Sequence, residues 1–242
     1  MTKNDTLFLV IDAGNTAIKT ALFKNLILIE QKRFENLPDL FNYTTHCTYQ
    51  KAILSSVLNE EESQQIIKAI PNLISVNECT IPLDINYQSK ESLGNDRLAN
   101  AVYAANQSKN NNVLVIDIGT CIKFDMVLKN GQYIGGSISP GIDLRYKSMH
   151  YFTGKLPELS LKEKIGLIGN NTKDCMHSGV INGIMGEIQY FIAYYEQQFP
   201  DLTIFVTGGD QIYFDISSKK TIFALENLTL YGLNLILQAN VH

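Results

Sequence analysis

One short pattern occurs twice in this chain. Leu9-Val-Ile-Asp12-Ala13-Gly14-Asn15-Thr16-Ala17-Ile18-Lys19 lies near the start and Leu114-Val-Ile-Asp117-Ile-Gly119-Thr120-Cys-Ile-Lys123 in the middle. Each is a short apolar run that ends in Asp, one further residue and Gly, followed by a polar turn and a second apolar stretch that closes at Lys24-Asn25 or Lys129-Asn130. Apolar runs of this length between turn residues read as buried strands, so each copy predicts strand, turn, strand. A strand that delivers Asp and Gly into a tight turn presents a carboxylate, backbone N–H groups and a hydroxyl together. That combination can hold a metal-bound phosphate.

The segments that follow each copy also correspond. In the first half, residues 6–12 and 16–24 read as a hairpin and Leu26 to Ile29 as a third strand, which makes a meander. A strand over Lys51 to Val57 and a helix over Glu60 to Ile70, stopped by Pro71, come next. Pro82 to Lys90 reads as irregular and extended. Asn95 to Gln107 predicts a helix, because Leu98, Ala101, Val102 and Ala105 recur at helical spacing. Lys109-Asn-Asn-Asn112 is a polar break, and it divides the chain into expected domains at 1–110 and 111–242. The second half repeats the meander over Val113–Asp117, Ile122–Leu128 and Gln132–Ile134, with Asn130-Gly131 as a turn. A glycine-rich loop is expected from Gly135 to Gly141, then a long helix over Lys173–Gln197, a strand over Ile204–Thr207 and a closing helix over Asn227–Leu237. Meander first and helices after, in both halves, predicts two similar α/β domains with a cleft between them.

Several classes of function lose support. The net charge is −4 and the isoelectric point about 5.6, so the electrostatic basis for a nucleic-acid binder is missing. Cys47, Cys79, Cys121 and Cys175 are far apart and read as reduced thiols. His46, His150, His177 and His242 lack metal-ligand spacing. There is no Gly-x-Ser-x-Gly and no Gly-x-x-x-x-Gly-Lys-Ser/Thr, so nucleophile-elbow hydrolases and Walker-type ATPases have no direct support. Apolar runs such as Leu7 to Ile11 are far short of a membrane span, and the residues before them are too few for a secretory leader. A cytoplasmic protein is expected.

Gly14 would let the backbone approach a phosphate that a Cβ would obstruct, and Lys19 is a natural point charge for a phosphoryl oxygen. Asp117, Gly119 and Thr120 repeat the arrangement. A carboxylate in a desolvated turn must be paired or bind a cation, so two such turns suggest a cation and a polyphosphate. Thr207-Gly-Gly-Asp210 either ends a strand in a simple turn or lets a flat nucleobase or ribose lie against the backbone. In Gly94-Asn95-Asp96-Arg97, Asp96 can cap the helix N-terminus. The positive helix end and Arg97 would also favour an ionised Asp96 ready to accept a proton.

Together Asp12 to Lys19, Gly94 to Arg97, Asp117-Ile-Gly-Thr120, Gly135-Gly-Ser-Ile-Ser-Pro-Gly141 and Thr207 to Asp210 resemble, in order and spacing, the type III pantothenate kinases, over residues 7 to about 234. The resemblance implies a duplicated two-domain fold of the acetate kinase, sugar kinase, Hsp70 and actin type with an ATP cleft. It implies transfer of the ATP γ-phosphoryl group to the terminal hydroxyl of pantothenate, with Mg-ATP and a monovalent cation, potassium or ammonium, in a homodimer. Asp12, Ala13, Gly14, Asn15, Thr16, Ala17, Ile18 and Lys19 would form the first phosphate loop, and Thr120 a second phosphate contact. Asp96 would be the general base within the substrate run Gly94, Asn95, Asp96, Arg97. Tyr87 and Thr172 would touch pantothenate, Thr172 from a neighbouring subunit. Asp117 would be the monovalent-cation ligand.

The sequence departs from that family where Asp-x-Gly-Thr-Ala-x-Thr is commoner: Lys123 replaces a small hydroxyl residue. Either Lys123 lowers the need for the monovalent ion or it points away from the site. Two other functions fit the same scaffold, a non-catalytic regulatory protein and a kinase for another small hydroxylated acid.

Overall fold

The computed structural model describes residues 6–161, 166–216 and 222–241. The chain forms two compact units, one built from the residues up to Gln107 together with those from Asn227 onward, the other from Ser108–Glu226.

In the first unit, β1 (Leu7–Ala13), β2 (Ile18–Lys24) and β3 (Ile27–Phe34) form the expected meander. α1 (Leu37–His46), β4 (Lys51–Ser56), α2 (Glu60–Ala69) and β5 (Leu73–Ser75) follow. The short strand β6 (Asp84–Ile85) then leads to α3 (Asn95–Gln107). The sheet order is β3-β2-β1-β4-β5, antiparallel through the meander and parallel from β1 to β4 to β5. β1 is central, and Leu9, Val10 and Ile11 are fully buried. Helices cover both faces of the sheet, which is why β1 is a continuous apolar run instead of an alternating one. Leu9 and Ile11 pack with Leu40 of α1 and Ile66 of α2, whereas Phe8, Val10 and Ile53 pack with Ala99 and Val102 of α3.

The second unit has β7 (Asn112–Ile118), β8 (Cys121–Val127) and β9 (Gln132–Pro140), then α4 (Ile142–Tyr151) and α5 (Thr172–Gln198). β10 (Leu202–Thr207) and β11 (Ile222–Ala224) complete it. Its own strands are ordered β11-β10-β7-β8-β9, with an antiparallel β7-β8-β9 meander and β10 parallel to both β7 and β11. Strand for strand this is the arrangement of the first unit. The sequence repeat is therefore the leading hairpin of a duplicated sheet. Leu114, Ile116, Phe124 and Met126 form a core with Ile142 and Tyr146 of α4 and with Val180, Ile184 and Ile188 of α5.

Three features differ from the sequence reading. The expected glycine-rich loop is mostly strand, since β9 continues to Pro140. Gly136 crosses β8 so closely that a Cβ would lie 1.6 Å from the Phe124 carbonyl oxygen, so the glycine marks strand packing. Helices α1 and α4 are absent from the sequence reading; α1 buries Leu40 and Thr44, and α4 buries Ile142 and Tyr146. Finally α6 (Leu228–Asn240) packs with the first unit, although the division at 110 put it with the second half. Leu230, Leu233, Ile236 and Leu237 join the core formed by Phe8, Val10, Ala99 and Val102.

Candidate functional site

In the first unit the C-terminal ends of β1 and β4 converge on the turn between β1 and β2. Asp12 stands opposite Lys19 on β2 and beside Ser55 on β4, and Ser55 is buried. The turn closes with the Gly14 N–H donating to the Ala17 carbonyl at 3.1 Å. A Cβ on Gly14 would come 3.2 Å from that same oxygen, which crowds the turn. Asn15 and Thr16 are exposed at its tip, Ala17 is half-buried, and Ala13 and Ile18 are buried at its base. Lys19 Nζ lies 3.5 Å from Asn227 Oδ1. Asn227 precedes α6 in a left-handed conformation with φ 57°, and its side-chain amide donates to Gln31 Oε1. No local pattern could have revealed this neighbour, since 208 residues separate it from Lys19.

At the start of α3, Asp96 Oδ1 accepts the Arg97 N–H at 2.9 Å. A Cβ on Gly94 would sit 2.6 Å from the same carboxylate oxygen, so glycine leaves room for Asp96 to fold over the helix end. Asn95 donates to Asn77 Oδ1 at 2.9 Å. Arg97 is buried, and its guanidinium carbon lies 5.9 Å from the centre of the Tyr87 ring, within cation–π range. Gly94 to Arg97 and Tyr87 are thus brought together, with Asp96 nine positions after Tyr87 in the chain.

In the second unit the ends of β7 and β10 and the start of α4 meet. Asp117 is flanked by Lys123 on β8 and by buried Thr207 on β10. Lys123 Nζ donates to Asp117 Oδ2 at 2.7 Å, with both side chains largely buried. Gly208 has φ +100°, and a Cβ there would meet the Ile118 carbonyl oxygen at 2.1 Å and Asp117 Oδ1 at 2.6 Å. The Asp210 N–H donates to the Ile118 carbonyl. Gly141 N–H donates to the Thr120 carbonyl at 3.0 Å, and a Cβ on Gly141 would overlap the Gly119 carbonyl at 2.0 Å. Gly208 and Gly141 therefore serve to bring backbones together around the Asp117 turn. Burial raises the Asp210 carboxyl above the usual carboxylate range, and the charges of Asp143 and Asp117 act in the same direction. Asp143, in the first turn of α4, is a site neighbour that no sequence motif marked.

Thr172 lies elsewhere in this unit, exposed in the first turn of α5, where Asn171 caps the helix by accepting the Asp174 N–H. A groove of 930 Å3 in the first unit, lined by Glu30, Lys32, Arg33, Tyr43 and His46, reaches Leu7 at the opposite end of β1 from Asp12. It does not involve the paired turns. Among the described residues no three His, Cys, Asp or Glu side chains gather as a metal cage, and no helix is long and apolar enough to cross a membrane.

Residues 8–194 match the sequence profile of the type III pantothenate kinases. The type III pantothenate kinase of Christiangramia forsetii is 40% identical, with 96% of this chain and 98% of the relative covered. That of Bacteroides fragilis is 39% identical at the same coverage of both chains, 96% and 98%. Among solved structures, a Campylobacter jejuni protein described as a Baf family transcriptional activator superposes with a TM-score of 0.64 at 22% identity, covering 96% of this chain and 98% of that one. The inorganic polyphosphate/ATP-glucomannokinase of Arthrobacter sp. strain KM gives 0.51 at 12% identity, covering 97% and 99%. These likenesses place the duplicated α/β architecture among the sugar-kinase type folds.

Proposed function

Because the chain belongs to the type III pantothenate kinase family, we propose that it transfers the γ-phosphoryl group of ATP to the terminal hydroxyl of pantothenate, giving 4'-phosphopantothenate at the entry to coenzyme A synthesis. The observation that carries this reading is near-full-length likeness together with the placement of the hairpin Asp12–Lys19 and the helix start Gly94–Arg97 within one compact unit.

Phosphoryl transfer passes through a loose transition state in most analyses, so positioning and charge stabilisation supply most of the acceleration. The N–H groups and side chains from Asp12 to Lys19 would hold phosphate oxygens, with Lys19 as the point charge. Asp96 would orient the acceptor hydroxyl and take its proton late in the transfer. Gly94 and Asn95 would shape the acceptor pocket, and Arg97 beside Tyr87 would bind the carboxylate of pantothenate. Thr172, exposed on α5, would reach the acceptor of a second copy. Exposed Tyr190 and Tyr194, stacked with ring centres 6.4 Å apart on the same helix, support a homodimer through that face.

Magnesium would enter with ATP. It takes one or two carboxylates plus phosphate oxygens and water, and Asp12 with the Ser55 hydroxyl is a donor set of that kind; the ion would neutralise developing phosphate charge. A monovalent cation fits less well, because its expected ligand Asp117 is already paired with Lys123. Cytoplasmic location follows from the same reading, since ATP is the donor.

An acceptor panel with coupled detection of ADP tests the proposal. ADP release that depends on pantothenate, and is not matched by sugars or other hydroxy acids, is expected. Release equal with and without pantothenate would overturn it.

A further inference from the structure

The two duplicated hairpins place a lysine at the same point and use it differently. Asp12 faces Lys19 across β1 and β2, and Asp117 faces Lys123 across β7 and β8. The second turn is one residue shorter, yet the register still sets Lys against Asp. In the first hairpin the lysine ammonium lies beside Asn227. In the second it is in direct contact with the aspartate, 2.7 Å away.

The strand register sets Lys123 opposite Asp117 and holds its stem there. Lys123 is held in the middle strand of a meander, paired with Asp117 on one side and Ile138 on the other. Its neighbours Ile122 and Phe124 are buried on the opposite face of β8 and fully inaccessible, so a rotation of the strand that withdrew Lys123 would expose both. The side chains of Lys123 and Asp117 are only 17% and 14% exposed. A charged pair that has lost most of its water is stable only while both partners stay together. A lysine ammonium is a compact point charge with three donors, similar in charge and size to a potassium or ammonium ion. A free monovalent cation seeking Asp117 would meet an ammonium already there and be repelled by it.

We propose that Lys123 is a built-in cation at Asp117, so that this enzyme works without the potassium or ammonium ion that the resemblance implies. Lys123 would act as a positioning residue that holds Asp117, and with it the Gly119-Thr120 turn, in the arrangement an external ion would otherwise maintain. This rests on the kinase reading above, and the experiment separates the two.

Turnover and melting temperature are measured with potassium chloride exchanged for N-methylglucamine chloride at constant ionic strength. For the wild type, pantothenate-dependent ADP release is expected to stay within about twofold across the exchange, and the melting temperature not to respond to potassium. Lys123→Thr is expected to lose about tenfold or more in the organic cation and to recover with potassium, which should also raise its melting temperature. If that variant does not fold, Lys123→Gln keeps the length of the side chain and removes the charge. Wild-type turnover or melting that rises steeply with potassium would overturn the inference. So would a folded Lys123→Thr or Lys123→Gln variant with the same flat response as the wild type. Absence of pantothenate-dependent turnover in every buffer would defeat the kinase reading instead, and the melting response of wild type and variant still decides the role of Lys123.

Discussion

Gly232 of α6 and Ala99 of α3 are in backbone contact: a Cβ on Gly232 would fall 1.9 Å from the Ala99 carbonyl oxygen and 2.9 Å from its Cα. This crossing docks the last helix of the chain onto the helix that begins with Asp96. Around it Leu233, Ile236 and Leu237 are fully buried. Gly232→Ala would force the helices apart and is expected to cost about 1–3 kcal/mol, the range for overpacking. Urea unfolding monitored by circular dichroism measures it.

Two glycines at positive φ separate strain from collision. Gly131 has φ +84° with nothing within 4 Å of its missing Cβ, while Gly208 has φ +100° and the Ile118 carbonyl at 2.1 Å. Gly131→Ala should cost about 1–2 kcal/mol from backbone strain alone. Gly208→Ala should cost clearly more, and because the same Cβ meets Asp117 Oδ1 it should also lower activity. Equal losses of stability in the two variants would show that the Gly208 turn can relax.

For Asp96, the Asn substitution keeps the hydrogen-bond acceptor that receives the Arg97 N–H and removes the proton acceptor. Loss of a general base is worth about 10²–10⁴-fold. Asp96→Asn is therefore expected to cut kcat by about 10²-fold or more while the affinity for ATP, measured by titration calorimetry, stays near that of the wild type. Near-normal turnover would remove Asp96 from the role.

Asp210 carries a stability signature with a defined sign. Burial raises its carboxyl in the folded state, and Asp143 and Asp117 reinforce the shift. A raised acid contributes full stability below its unfolded value and loses it as pH climbs through the folded one. The ionised Asp210 therefore weakens the fold at neutral pH. Asp210→Asn should melt at a higher temperature than the wild type at pH 7, and the difference should close as the pH falls through the raised Asp210 value and the wild-type carboxyl protonates. A variant that melts lower at pH 7 would mean that the carboxylate makes a compensating contact.

Much of the fold was legible because strands buried on both faces leave continuous apolar runs. β1, β7 and β10 were recognised this way, as was α3 from its helical spacing. α4 carries little helical periodicity, burying only Ile142 and Tyr146, and α1 follows a strand closely and opens on Leu37-Pro38, which reads as a turn. Beyond Ile134 the glycines of β9 read as a loop because glycine is a turn former, whereas Gly136 lets two strands touch. Of the candidate site, Asp12, Asp96 and Asp117 could be named from motifs with local geometry. Asn227 beside Lys19 and Asp143 beside Asp210 could not, since neither belongs to a local pattern.

The sequence alone determined the duplicated strand-turn-strand units, and with them the alternation of apolar cores and polar turns that makes each half an α/β sheet. These are local consequences of side-chain burial and turn chemistry. Only the tertiary structure decided that α6 packs on the first unit, and that the two lysines of the repeat have different partners. Contacts between residues far apart in the chain, such as Lys19 with Asn227, arise from packing. Even the Lys123–Asp117 pair, close in sequence, depends on the strand register that brings the two side chains face to face.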